Sequence, residues 1–171
     1  MPTLVAQRAR PPAASGPRLV FRVQRAVDRE ELPSAHALRK WARAALRQDA
    51  AVTLRFVGAA ESARLNATYR GKASPTNVLT FVYDDLTPLS GDLVLCVPVL
   101  EREARQQGKS LRNHCAHLLV HGMLHLQGDD HQADRAARRM EARETAILAG
   151  FGIPDPHHDP YVGPVLTGRR K

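Results

Sequence analysis

Apolar and polar positions interleave with a period of two over residues 19–24, where Leu19, Phe21 and Val23 alternate with Val20, Arg22 and Gln24. That spacing predicts a short strand, and its polar side suits a sheet edge. From Pro33 to about Gln48 the period becomes helical. Ala37, Leu38, Trp41, Ala42, Ala45 and Leu46 recur on one side, while Arg39, Lys40, Arg43 and Arg47 cover the others. A basic amphipathic helix is expected there. Val52, Leu54 and Phe56 mark a second strand over residues 52–57. A helix from about Ala59 to Arg70 should close at Gly71, since glycine tolerates the left-handed backbone of a helix end.

Two nearly continuous apolar runs follow, residues 78–83 and 93–97, on either side of a turn-forming stretch from Asp84 to Gly91. Such runs suit central strands covered on both faces. Pro98 stops the second run and opens a helix through Glu101, Glu103 and Ala104 toward Gly108. Ser110 is a good N-cap for the next helix, with Leu111, Cys115, Leu118, Leu119 and Leu126 as apolar contacts and Gly128 as its exit. A last long helix spans about Gln132 to Leu148, with Ala133, Ala136, Ala137, Met140 and Ile147 inward and Gly150 at its end. Beyond it, Pro154, Pro156, Pro160 and Gly163 imply an irregular tail. No internal repeat occurs. This order predicts an α+β domain, a small mixed sheet of about four strands packed with about five helices.

With 171 residues and 43% hydrophobic composition, one core is accommodated more comfortably than two. A single domain over residues 18–161 is expected, behind a disordered Arg- and Pro-bearing leader, residues 1–17, and ahead of a flexible tail, residues 162–171. No apolar run nears the roughly 18 residues of a membrane span, and the leader lacks the apolar core of a secretory signal, so no membrane partner and a cytoplasmic location are expected. Cys96 and Cys115 form no C-x-x-C pair and read as core thiols. The net charge of +8 is skewed. Ten of the 25 Lys and Arg precede residue 51, against four of the 17 acids. This skew suits either a polyanionic partner or a solvated Arg-rich surface.

Five of the eight histidines fall between His114 and His131, and His114, His117, His121 and His125 share one helical stripe. His121 and His125 are one turn apart, a spacing at which two imidazoles can bind one cation. A reversal at Gly128 would bring His131 back as a third ligand. Three neutral nitrogens and a vacant position describe a catalytic zinc site better than a structural one, which is normally closed by four protein ligands. Hydrolysis is the expected chemistry, with one zinc ion per chain on a central helix and the turn after it. His114 and His117 remain open as ring-orienting donors, substrate contacts or surface groups. Gly122 follows His121 where H-E-x-x-H enzymes carry their general base, which weakens a peptidase reading.

The run from His121 to His131, HGMLHLQGDDH, resembles the H-G-x-L-H-L-x-G-x-D-H signature of the YbeY family, bacterial metal-dependent endoribonucleases of ribosomal RNA maturation. Leu65-Asn66-Ala-Thr-Tyr69-Arg70 is similar to that family's LN-x-x-YR segment, Pro75 to Phe81 to its PT-D/N-VL-S/T-F strand, and Gly91-Asp92 to its GD strand start. The resemblance extends over about residues 50 to 161 and includes Gly152-Ile153-Pro-Asp-Pro and Pro160-Tyr161. Asp129 departs from it, standing where the family commonly has Tyr. The resemblance implies cleavage of single-stranded RNA, action at the 3′ end of small-subunit rRNA and on defective ribosomes, and the small ribosomal subunit and assembly factors as partners. DNA is not expected.

The resemblance also selects Arg70, beside His121, as a catalytic residue, because a guanidinium offers paired donors to a scissile phosphate and keeps its charge. From the residues alone, Arg70 reads first as a cation at a helix C-terminus. Asp130 and Asp92 stay open between functional and structural roles. Glu141 and Glu144 read as surface or salt-bridge groups outside the site. The basic helix and Lys72 suit tracking of an RNA backbone by charge, whereas 5% aromatic content gives little support for base stacking. Two other readings remain: a zinc metallopeptidase-like hydrolase, and a non-catalytic ribosome-assembly factor whose metal braces the C-terminal helices.

Overall fold

The computed structural model of the chain describes residues 16–84, 86 and 88–157. Most of the expected leader, Pro160, Tyr161, Gly163 and the expected tail lie outside the described residues. Nine elements run in the order β1 (Leu19–Arg25), α1 (Ala35–Ala44), β2 (Ala50–Val57), α2 (Ala59–Arg70), β3 (Val78–Asp84), β4 (Leu89–Cys96), α3 (Val97–Gln106), α4 (Leu111–Leu126) and α5 (Asp134–Ala149). The four strands form one mixed sheet in the order β1-β2-β4-β3. β1 and β4 both pair parallel with β2, and β3 runs antiparallel to β4. The expected α+β class is what the chain adopts, with β1 on an edge as its alternating pattern requires.

β4 explains the depth of the core. Leu89, Leu93 and Leu95 face the main cluster with Leu38 and Trp41 of α1 and Leu119 and Met123 of α4. Val94 and Cys96 face a smaller cluster with Leu79 and Val99, against which Leu65 of α2 packs. A strand apolar on both sides is thereby covered on both sides. β3 does not follow that expectation. It is the other edge, and Val82 and Tyr83 at its end are exposed. A continuous apolar run does not distinguish a central strand from an edge strand whose outer residues line a cleft. The intervening turn is also shorter than expected, because β4 already begins at Leu89.

Ser34 accepts a hydrogen bond from the Ala37 amide and starts α1 two residues later than Pro33, and the helix ends at Ala44 rather than near Gln48. Ser110 caps α4 in the same way, through the Asn113 amide. α4 is the central helix, in contact with α1, α3, α5, β3 and β4. Glycines let it approach the sheet. A Cβ on Gly122 would stand 2.8 Å from Leu93 Cδ2, and one on Gly91 would stand 2.5 Å from the Phe81 carbonyl oxygen and 2.6 Å from Leu126 Cδ2. Cys96 and Cys115 are both buried and unbridged, as expected of core thiols. Burial pushes the Cys115 thiol up to about 12. Among the described residues, no helix is long and apolar enough to cross a membrane.

Candidate metal centre and RNA cleft

α4 carries His121 and His125 one turn apart, and the chain reverses immediately after it. Gly128 takes φ 97°. Its amide bonds the His125 carbonyl, and the Asp129 amide bonds the Leu124 carbonyl, so the end of the helix is closed by a paired backbone motif. This turn delivers His131 to the histidine stripe. One ligand atom from each of His121, His125 and His131 lies within 4.8 Å of the other two. Nε2 of His125 and Nδ1 of His131 lie 2.7 Å apart, a hydrogen-bond separation in which one ring nitrogen donates to the other, so both point into the same small space.

The donor chemistry fits a divalent metal. Burial pushes the His125 pKa down, and the neighbouring His121 and His131 push it further, which favours the neutral, ligating form. Glu144 of α5 fixes His121. Its Oε1 accepts from His121 Nδ1, so that ring holds its hydrogen on Nδ1 and leaves Nε2 free to ligate. The other oxygen, Oε2, accepts from Nε2 of His117 at 3.1 Å and Nε2 of His157 at 2.7 Å. Burial opposes ionisation of Glu144, yet the hydrogen bonds from His117 and His121 outweigh it and hold the carboxyl well below the usual carboxylate range.

Glu144 is the charge-pairing group that was one half of the expectation, but not a surface one: its side chain is 1% exposed, and it belongs to the site from which it was left out. The signal was present in the sequence as a charged residue inside the apolar stripe of Met140 and Ile147. His157, beyond α5, carried no such signal. His117, 15% exposed, is one of the histidines on this carboxylate. His114 is buried, with Nε2 2.7 Å from Glu103 Oε2, and belongs to the packing of α4 on α3 rather than to the surface. Glu141 is exposed, as expected.

The three histidines line a cavity of about 940 Å³, with Tyr69, Arg70 and the strand residues from Thr76 to Tyr83 as the facing wall. α2 holds that wall in place. Buried Asn66 donates to the Ser74 carbonyl at 2.7 Å. Ser62 Oγ accepts from the Thr76 amide at 3.0 Å and donates to the Thr76 carbonyl at 3.1 Å. The loop after Gly71 is thus pinned along the helix, and Arg70, at the helix C-terminus, opens onto the histidines.

The other expected site groups go elsewhere. Arg39 donates to the Leu19 carbonyl, and Arg47 pairs with Asp129 at 3.0 Å, so the basic helix supplies nothing to the cavity wall. Arg143 also pairs with Asp129, at 2.7 Å, and the two arginines together depress its carboxyl despite the opposing effect of burial. Asp130 is exposed and accepts from the Gln132 amide, stiffening the turn that precedes α5. Asp92 accepts from the Tyr83 hydroxyl at 2.7 Å. Position 122 faces Leu93 of β4, so no side chain there can act as a base beside the histidines.

Residues 24–152 match the family profile described as Endoribonuclease YbeY. The chain belongs to the YbeY endoribonuclease family. An Endoribonuclease YbeY of Aromatoleum aromaticum is 57% identical over 143 residues, covering 82% of this chain and 93% of the relative. Another, from Thiobacillus denitrificans, is 52% identical over 144 residues, covering 83% and 98%. The solution structure of TM1509 from Thermotoga maritima aligns with TM-score 0.50 at 22% identity, covering 84% of this chain and all of that one, which supports a shared fold. Membership of the YbeY family favours the nuclease over the peptidase reading, in agreement with a glycine at position 122.

Proposed function

We propose that this chain is a single-strand-specific endoribonuclease that matures the 3′ end of small-subunit rRNA and takes part in ribosome quality control, with one zinc ion held by His121, His125 and His131. The observation that carries the proposal is the shared cavity: a cluster of three imidazoles that could hold a metal ion and a cationic side chain line one open cleft. Zinc bound there would supply Lewis acidity toward a phosphoryl oxygen or toward water. Cleavage with or without a cyclic phosphate product stays open, and the termini of the cut RNA decide between them.

The chain's own residues account for binding and orientation. Arg70 grips the scissile phosphate with paired N–H donors and stays charged at any working pH. Glu144 holds the His121 ring by its Nδ1 hydrogen and so aims Nε2 at the ligand position. No Asp or Glu is among the described residues lining the cavity, and the nearby Asp92 and Glu144 carboxylates are engaged by the Tyr83 hydroxyl and by His121. One functional domain over residues 18–161, a cytoplasmic location, and ribosomal small-subunit and assembly-factor partners belong to the same proposal.

The test is metal analysis of the purified protein beside cleavage of an unstructured RNA with and without chelator. The expected result is one zinc per chain, activity abolished by chelator and restored by zinc, and a His121→Ala variant that is folded yet inactive. Full cleavage by metal-free protein would overturn the catalytic role of the ion. A loss of stability in His121→Ala that parallels its loss of cleavage would instead favour the metal as a structural brace.

A further inference from the structure

Tyr69 and Tyr83 are 64% and 67% exposed, among the most exposed large side chains of the described residues, and both line the cavity that holds the histidines. Neither ring is loose. The Tyr83 hydroxyl donates to Asp92 Oδ2 at 2.7 Å. Tyr69 packs edge-to-face on Phe81, with ring centroids 4.9 Å apart at an interplanar angle of 68°. Asp92 sits on β4 and Phe81 on β3, so sheet register fixes where both rings stand. Tyr69 also directly precedes Arg70, the proposed phosphate grip.

A tyrosine ring exposed at a cleft and fixed by its neighbours offers a flat apolar surface that a flat partner can cover. Arg70 and the three histidines line the cavity while Asp92 is engaged by the Tyr83 hydroxyl, which favours a polyanion as that partner, and a polyanion bearing flat apolar groups is a nucleic acid strand. Stacking needs the base to be out of a duplex, because a paired base presents only its edge. The reach of an A-form helix into a walled cleft is poor for the same reason.

We infer that Tyr83, with Tyr69 beside it, is a stacking platform for an unpaired nucleobase of the RNA strand, adjacent to the phosphate held at Arg70. The inference rests on the endoribonuclease reading and adds the subsite that would make the enzyme choose single strands. It also departs from the expectation that low aromatic content gives little support for base stacking, since two rings suffice when both stand at the cleft. Such a platform tolerates any base, because every base has a π face. Discrimination would therefore be between stacked and free bases, not between sequences.

The experiment measures steady-state cleavage of an unstructured oligoribonucleotide by the zinc-loaded protein, with one nucleotide at a time replaced by an abasic ribose. For the unsubstituted protein, one abasic position at a constant distance from the cut should raise KM about tenfold with little change in kcat. Tyr83→Leu should raise KM similarly on intact RNA and be indifferent to that abasic substitution. Tyr83→Phe, which keeps the ring, should lose less than about threefold. An abasic penalty of equal size in Tyr83→Leu and in the unsubstituted protein overturns the platform, as does an unchanged KM in both Tyr83→Leu and Tyr69→Leu. In parallel, a 2-aminopurine placed at the sensitive position should be quenched on binding, and less so by Tyr83→Leu. Quenching that depends on Tyr83 in RNA that is bound but never cut would uphold the platform while sinking the nuclease reading. Thermal melting of each variant confirms that it is folded.

Discussion

Replacing Glu144 tests the site at its least visible point. In Glu144→Ala, three imidazoles lose a charged acceptor, and a hydrogen bond to a charged group is worth about 1.5–3 kcal/mol. Two of those partners are not sealed: the His121 and His157 side chains are 24% and 30% exposed and can turn to water. Removal of a buried carboxylate also relieves its own desolvation. The net destabilisation is therefore expected near the value of one or two such bonds, about 2–3 kcal/mol. The functional effect is separate. Once its Nδ1 hydrogen has no acceptor, His121 no longer has a fixed ring orientation, and zinc affinity should fall about 10- to 100-fold, the usual consequence of losing a partner of this kind.

Glu144→Gln sharpens the test because an amide keeps one acceptor oxygen. With that oxygen toward His121, the amide NH2 faces His117 and His157, whose Nε2 atoms must then accept rather than donate. His157 can change tautomer to allow this, but His117 Nδ1 is buried without a partner and would then carry an unsatisfied N–H, so Gln should recover only part of the stability while restoring at least half of the lost affinity in logarithmic terms. Chelator-competition titration of zinc and urea unfolding of the three proteins measure both quantities. A Glu144→Ala protein that binds zinc as tightly as the unsubstituted chain would refute the reasoning, since His121 would then need no holder.

Arg70 is exposed, so Arg70→Ala should shift unfolding free energy by no more than about 0.5 kcal/mol and leave zinc binding intact, while cleavage drops about 10- to 100-fold; unchanged turnover removes Arg70 from the mechanism. Gly91→Ala places a Cβ against the Phe81 carbonyl and buried Leu126, and should cost about 1–3 kcal/mol in urea unfolding and loosen the seat of α4 on the sheet. Tyr83 offers a spectroscopic check, because its hydrogen bond to Asp92, with some burial, pushes the phenol up to about 12. The neutral phenol is favoured in the folded state, so this contribution to stability is complete below the unfolded value near 10 and is lost as pH rises through about 12. Ultraviolet titration should show one late phenolate that moves toward 10 in Asp92→Asn; an unmoved titration would mean that the bond is absent in solution.

Much of the architecture was legible because it depends on spacing along the chain. Alternation found β1 and β2, Gly71 closed α2 at Arg70, Ser110 capped α4, and Gly128 supplied the left-handed turn that brings His131 back. Ligand spacing on one helix is also a local property, so the three histidines could be named from their positions alone. Arg70 was reached by resemblance and not by any local signal. It lines the same cavity as the histidines, at the end of a helix whose following loop is pinned by Ser62 and Asn66.

What depended on tertiary structure is whatever requires two distant segments to meet. Glu144 reads as an ordinary helix-surface acid until α5 packs on α4 and buries it beneath three imidazoles. β3 reads as a central strand until β4 takes the inner place and leaves Val82 and Tyr83 facing the cleft. Arg47, just past α1, reads as part of an RNA track until it finds Asp129, 82 residues away. In each case the chain specified the chemical groups and their local backbone, while packing chose the partners, and the partner determines whether a charge or a ring is spent on structure or left for a substrate.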